Sequence, residues 1–173
     1  MMMVQLIRDE QPDELAIVSH SQGTVVAIDV LANDGRSWLK LLPENAQLAL
    51  VTMGSPYTHV HHHYFPGSFA AHKLRKEIGP VENKGVLSRW INIFRIDDFV
   101  GTHIDADPNW PKEHPVAPNG HTYYWTDENV FPLLREFLDF RKMLDTMKTA
   151  GRKAAANAGG SKRAAAKPKK PRR

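Results

Sequence analysis

The sequence predicts an α/β domain: a parallel β-sheet with flanking helices, followed by a disordered basic C-terminal tail. Three observations predict it. Apolar runs of strand length alternate with amphipathic stretches of helix length. The first apolar run enters the first amphipathic stretch through a polar pentad, Ser19-His20-Ser21-Gln22-Gly23. Beyond Thr149 the composition shifts to Ala, Gly, Lys, Arg and Pro.

Taken in order, Leu15-Ala16-Ile17-Val18 reads as a short buried strand. Thr24 to Ala32 reads as a helix, with Val25, Val26, Ile28 and Leu31 giving a largely apolar surface and Asn33-Asp34-Gly35 a stop. Gln47 to Met53 (QLALVTM) is a second buried strand, ended by Gly54-Ser55-Pro56. A His- and aromatic-rich loop follows, and Ser68 to Ile78 reads as helical. Arg89 to Arg95 (RWINIFR) is a third strand. Asp105 to Gly120 is rich in Pro, Asn and charge and reads as a loop. Glu128 to Met147 carries Val130, Leu133, Leu134, Phe137, Leu138, Phe140 and Leu144 at helical spacing and closes the domain. Three strands are few for a parallel sheet, whose faces must both be covered.

The domain expected over residues 1–147 and the tail over 148–173 differ in charge as well as pattern. The chain of 173 residues is 42% hydrophobic with a net charge of +4, which fits one globular domain with a modest core. From Lys148 to Arg173 there are ten Lys or Arg and no Asp or Glu, which leaves an acidic body of about −6. Such a tail cannot bury apolar area and is expected to be disordered in isolation. The absence of cysteine excludes a disulfide framework and thiolate metal sites. No apolar run approaches the roughly 20 residues that span a bilayer. The start, MMMVQLIRDEQPDE, lacks a signal-peptide core. A cytoplasmic location, peripheral to a membrane at most, is the expectation.

The pentad has a chemical reading. A strand that runs straight into a helix through a sharp turn leaves the turn residue strained, with its side chain raised above the sheet edge. The residues two before and two after pass close to the turn and should be small; here they are Ser19 and Gly23, flanking Ser21. The new helix offers unpaired N–H groups and a positive dipole end. The N–H of Gln22 is thereby placed to stabilise an oxyanion formed when Ser21 attacks a carbonyl. The bland alternative is a serine that caps the helix.

Here the sequence resembles the α/β-hydrolase superfamily, in particular its lipase- and esterase-like members. The G-x-S-x-G elbow appears as S-H-S-Q-G, with Ser19 in place of the first Gly. A serine hydroxyl needs a base to take its proton and a carboxylate to orient that base. The superfamily order is Ser, then Asp or Glu, then His. The third strand runs into W-x-N-x-x-R-x-D-D-x-V-G, which looks like the acid-bearing turn of lipase-like hydrolases. Asp98, just before the apolar-Val-Gly turn, is the chosen acid; Asp97 is the near alternative, with Asp105 and Asp107 further behind. A solvated acidic turn is the competing reading. His121, in Asn119-Gly120-His121-Thr122-Tyr123-Tyr124-Trp125 before the closing helix and followed by Asp127, resembles the base loop of the same superfamily, whose aromatic residues would anchor it by packing. The resemblance implies a serine hydrolase acting on small-molecule or lipid carboxylic esters, with Ser21 as nucleophile, His121 as base, Asp98 as orienting acid and no cofactor.

About four strands precede the elbow strand in the complete superfamily fold, whereas fourteen residues precede Leu15 here. The resemblance therefore covers the C-terminal half of that fold and lacks the segment that supplies the second oxyanion donor. A shortened chain, or a half that needs a partner, is the expectation, with an apolar sheet edge prone to self-association. A remnant that keeps the triad without activity is the competing outcome.

His59, His61, His62 and His63 suggest a metal site, but no neighbouring Cys or carboxylate completes a ligand set. They lie in the loop after Gly54-Ser55-Pro56, and the resemblance implies that this Gly-Ser-Pro and the following Tyr64-Phe65-Pro66, as in similar hydrolases, are part of the scaffold over the site. His20 is expected to shape the pocket, not to act as the base. Residues 148–173 would bind polyanions, either nucleic acid through its phosphates or an anionic membrane face. A plain solubilising tail is the simpler reading.

Overall fold

The sheet is organised about β2 (Gln47–Met53), which pairs in parallel with β1 (Glu14–His20) on one side and β3 (Arg89–Arg95) on the other. A fourth strand, β4 (Lys112–Val116), adds in parallel to β3, giving the order β1-β2-β3-β4. The computed structural model describes residues 2–69, 74, 76–80, 85–104 and 110–138. The fold and site below lie within residues 1–134, one compact unit. The class is α/β, an all-parallel four-stranded sheet with helices against it.

β2 is apolar along its length because it lies inside the sheet; Leu48 to Met53 are all buried. Helix α1 (Met2–Glu10) precedes the sheet, and α2 (Gln22–Leu39) connects β1 to β2. The core gathers Ile7 from α1, Val25, Ile28, Leu31 and Trp38 from α2, and Leu48, Leu50 and Trp90 from the sheet. Burying side chains of this size contributes about 1.5–3 kcal/mol each. A buried polar chain crosses three strands. Trp90 Nε1 donates to Thr52 Oγ1 (3.2 Å), Thr52 Oγ1 donates to Asn92 Oδ1 (2.8 Å), and Asn92 Nδ2 donates to Glu113 Oε2 (2.8 Å). Unpaired, these groups would be costly at that depth; paired, they fix the register of β2, β3 and β4.

Several elements depart from the sequence expectation. α2 does not stop at Asn33-Asp34-Gly35. Its apolar face continues through buried Gly35 and Trp38, and Asn33 Nδ2 folds back onto the Asp29 carbonyl (2.9 Å). Gly35 serves packing here: a Cβ would stand 3.1 Å from Val86 Cγ2. β4 lies in the stretch read as loop. Its polar sequence, KEHPV, suits an edge strand, which among the described residues pairs only with β3. α1 has no clear signature in the sequence either, since its segment carries one well-buried anchor, Ile7. Gln11, with φ of 43°, ends it, its Nε2 donating to the carbonyls of Ile7 (3.1 Å) and Leu41 (3.2 Å).

The His-rich segment is not an open loop but a wide π-helical turn, Tyr57–His62, in which the Pro56 carbonyl accepts from Val60 N–H (3.0 Å) and His61 N–H (3.1 Å). Within the helix expected over Ser68–Ile78, residues 70–73 and 75 lie outside the described residues; Leu74 and Ile78 are buried. The closing helix, α3 (Val130–Phe137), buries Val130 and Leu134. Its expected continuation beyond residue 138 and the tail 148–173 lie outside the described residues. Among the described residues, no helix is long and apolar enough to cross a membrane.

The strand register sets up the site. His20 aligns with Met53, and Met53 with Ile93. The carboxyl ends of β1, β2 and β3 therefore open at one edge, where parallel sheets place their crevices.

Candidate active site

Ser21 stands on the turn between β1 and α2. Its N–H extends the ladder by donating to the Met53 carbonyl (2.9 Å), and α2 begins at the next residue. Its backbone is held at φ 54°, ψ −133°. For a residue with a side chain such a conformation costs on the order of 1–3 kcal/mol and persists only where its surroundings enforce it. Several contacts do so. Ser19 Oγ donates across to the Val51 carbonyl (2.9 Å), and Thr24 Oγ1 lies 2.7 Å from both the Ser21 carbonyl and Ser55 Oγ. The Ser21 hydroxyl makes no helix-capping bond. It lies 2.6 Å from His121 Nε2.

Ser19 is buried against β2, as a close-packed turn requires. Gly23 is not crowded: a Cβ there would meet nothing within 4 Å. The expectation that Gly23 must be small does not hold. β1 is the outer strand of the sheet, and Gly23 lies beside an open apolar trough with Ile17, Val26 and Trp125.

Asp98 follows β3 and is 2% exposed. Its Oδ1 accepts the N–H groups of Val100 (3.0 Å) and Gly101 (2.8 Å), and its Oδ2 accepts the Tyr124 hydroxyl (3.0 Å). Burial alone would raise its pKa. The bonds from Gly101, His121 and Val100 outweigh it and hold the carboxyl below the ordinary aspartate value. Burial and the same carboxylate push the Tyr124 hydroxyl well above the usual tyrosine range. Two glycines make room for this turn. A Cβ on Gly101 would lie 2.2 Å from the Gly54 carbonyl carbon, and one on Gly54, at φ 55°, 2.8 Å from Tyr124. The glycine of Gly54-Ser55-Pro56 thus lets the acid turn sit directly on the end of β2.

His121 closes the line. Its Nδ1 is 2.8 Å from Asp98 Oδ2 and 2.9 Å from Oδ1. An ionised carboxylate only accepts, so Nδ1 carries the proton and Nε2 is left to accept from Ser21. Asp97 is exposed and serves the backbone of the base loop, its Oδ2 accepting the Gly120 N–H (3.0 Å) just before His121. Of the acids weighed from sequence, Asp98 is the one against His121; Asp105 and Asp107 lie outside the described residues.

From sequence, Arg95 has no assigned role, Tyr124 is expected only to anchor the base loop by packing, and Asp127 enters only as part of the base-loop resemblance. Arg95, 1% exposed, reaches Asp127 Oδ2 (2.5 Å), bonds the Ala117 carbonyl and lies 4.7 Å from the Tyr124 ring centre. It ties the end of β3 to the segment that carries His121. Backbone and side-chain bonds from Asn129 and Arg95 hold the Asp127 carboxyl below its ordinary value. Arg95 stands inside the acid-bearing motif and Asp127 beside the base loop, but one sequence cannot show that two such residues meet.

Gln22 is the first residue of α2, so its N–H is among those a helix leaves without an internal acceptor. Its side-chain Oε1 accepts from His61 Nε2 (3.1 Å), which places the π-helical turn beside the elbow. His62 Nδ1 donates to the Phe69 carbonyl (2.7 Å). Among the described residues, no three of His, Cys, Asp and Glu are placed to hold a metal ion. Family models, curated proteins and solved structures, compared with this chain, give no match.

Proposed function

We propose that the chain is a serine hydrolase of the α/β-hydrolase type that cleaves carboxylic esters. One observation carries the proposal: an unbroken line from Ser21 Oγ through His121 (2.6 Å) to Asp98 (2.8 Å), with the serine on a strained strand-to-helix turn. In this reading His121 Nε2 takes the Ser21 proton as Oγ attacks the ester carbonyl carbon. The oxyanion forms beside the N-terminus of α2, where the Gln22 N–H is the donor. The imidazolium, stabilised by ionised Asp98, passes its proton to the leaving alcohol. His121 then takes a proton from water as the water oxygen adds to the acyl carbon. That proton returns to Ser21 Oγ as the acid departs.

The depressed pKa of Asp98 supports this assignment, because the carboxylate stays charged wherever a neutral imidazole can act as base. A short p-nitrophenyl ester tests the proposal. Turnover is expected from the full chain, opening with a burst of p-nitrophenol close to one per protein. Ser21→Ala is expected to lose the burst and all turnover above background. Equal turnover by Ser21→Ala, with its fold intact by circular dichroism, would contradict it.

A further inference from the structure

His20, the residue before the proposed nucleophile, contacts His121, Tyr124 and Trp125 of the base loop. Its Nε2 lies 2.8 Å from the His121 carbonyl oxygen. A carbonyl only accepts, so Nε2 donates. Its ring centre is 5.1 Å from that of His121, 5.4 Å from Tyr124 and 6.2 Å from Trp125, the last edge-on. Tyr124 in turn donates to Asp98 Oδ2 (3.0 Å). One half-buried side chain thus links the elbow to the base, and through Tyr124 to the acid.

Two hydrogen bonds join the elbow to His121: Ser21 Oγ to Nε2 (2.6 Å) and His20 Nε2 to the backbone carbonyl (2.8 Å). Their fates differ if Ser21 is acylated. The esterified Oγ has no proton to give, so the first bond is lost for the life of the acyl-enzyme. The second involves neither reacting atom and persists. We infer that His20 is a positioning residue that holds His121 in register while the acyl group occupies Ser21, and that it acts chiefly on deacylation. The inference rests on the serine-hydrolase reading above. In the step it serves, water adds to the acyl carbon and gives its proton to His121 Nε2. The carbon–Oγ bond then breaks and the proton passes to Ser21. With Ser21 acylated, no bond from Oγ holds the ring at Nε2, so the backbone tie becomes the main restraint from the elbow.

Burst kinetics with a p-nitrophenyl ester separate the two halves of the cycle. His20→Phe keeps an aromatic ring and removes the donor; His20→Gln restores an N–H at similar reach. His20→Phe is expected to keep the burst amplitude and its rate within about 3-fold, while the steady-state rate falls about 10-fold, the scale of one hydrogen bond. His20→Gln should recover most of that loss. Thermal melts should place both variants near the parent. Equal slowing of burst and steady state in His20→Phe, no slowing of either, or a His20→Gln no better than His20→Phe, would overturn the inference. A parent protein with no Ser21-dependent release of p-nitrophenol would overturn the serine-hydrolase reading and this inference with it. A parent with a burst that is indifferent to His20 overturns this inference alone.

Discussion

At the scale of single residues, the proposed chemistry turns on Asp98. Its side chain is fixed by N–H groups two and three residues ahead, by Tyr124 and by His121. Asp98→Asn keeps the shape and presents an amide where His121 needs an acceptor. Ester turnover should fall by about 10⁴-fold, the loss seen when a triad base is forced into the wrong tautomer. Asp97→Asn, in contrast, keeps an oxygen for the Gly120 N–H and should stay within a few-fold of the parent. The sequence presents these two acids side by side, and their roles are set by which one meets the N–H groups of Val100 and Gly101. The glycine three residues after Asp98 is the signal that could be read; Tyr124 reads in sequence as a packing anchor of the base loop, and its bond to Asp98 is not visible there.

The same carboxylate shapes acid stability. Asp98 and Asp127 both titrate below the ordinary aspartate value of 3.8. The unfolded chain therefore binds protons that the native state refuses, and stability drops as pH falls through that value and below. Glu14 acts in the opposite sense: burial raises it despite its bonds to Arg89, so ionising it on the way up from its ordinary 4.5 costs stability. The melting temperature should decline on acidification below about pH 4. In Asp98→Asn that acid limb should be shallower, as thermal melts across a pH series would reveal.

At the scale of elements, three strands and the junction between β1 and α2 are legible because their residues obey local rules. An apolar run of strand length and a serine between small neighbours need no distant partner to be recognised. The end of α2 is not legible. Asn33-Asp34-Gly35 looks like a stop, and only Val86, far along the chain, shows why a glycine sits inside the helix. β4 is hidden because an edge strand with Lys, Glu, His and Pro has no apolar signature. Gly23 yields a prediction opposite to the sequence rule. With nothing within 4 Å and helical backbone, Gly23→Ala should leave Ser21 reactive. It should also stabilise the fold by about 0.5–1 kcal/mol through helix propensity. Denaturant titration and ester turnover measure the two effects separately.

At the scale of the whole molecule, the two edges of the sheet differ. β4 is protected by charge and by Pro115, as natural edge strands usually are. β1 carries Leu15 to Val18 without charge or proline and, among the described residues, pairs only with β2. The weight-average mass of the chain in sedimentation velocity is expected to rise with concentration. Ala16→Lys, a half-buried position outside the core cluster, should suppress the rise. A constant monomer mass in the parent would contradict this. The sheet and helices make a scaffold whose strand ends converge at one edge, and that convergence brings residues 21, 98 and 121 into one line. The most direct test of that line is reaction with a fluorophosphonate followed by intact-mass and peptide mapping. One adduct per chain is predicted, on Ser21, absent from Ser21→Ala and much slower to form in Asp98→Asn. A folded parent that takes no adduct, or takes it equally with Ser21 replaced, would contradict the account.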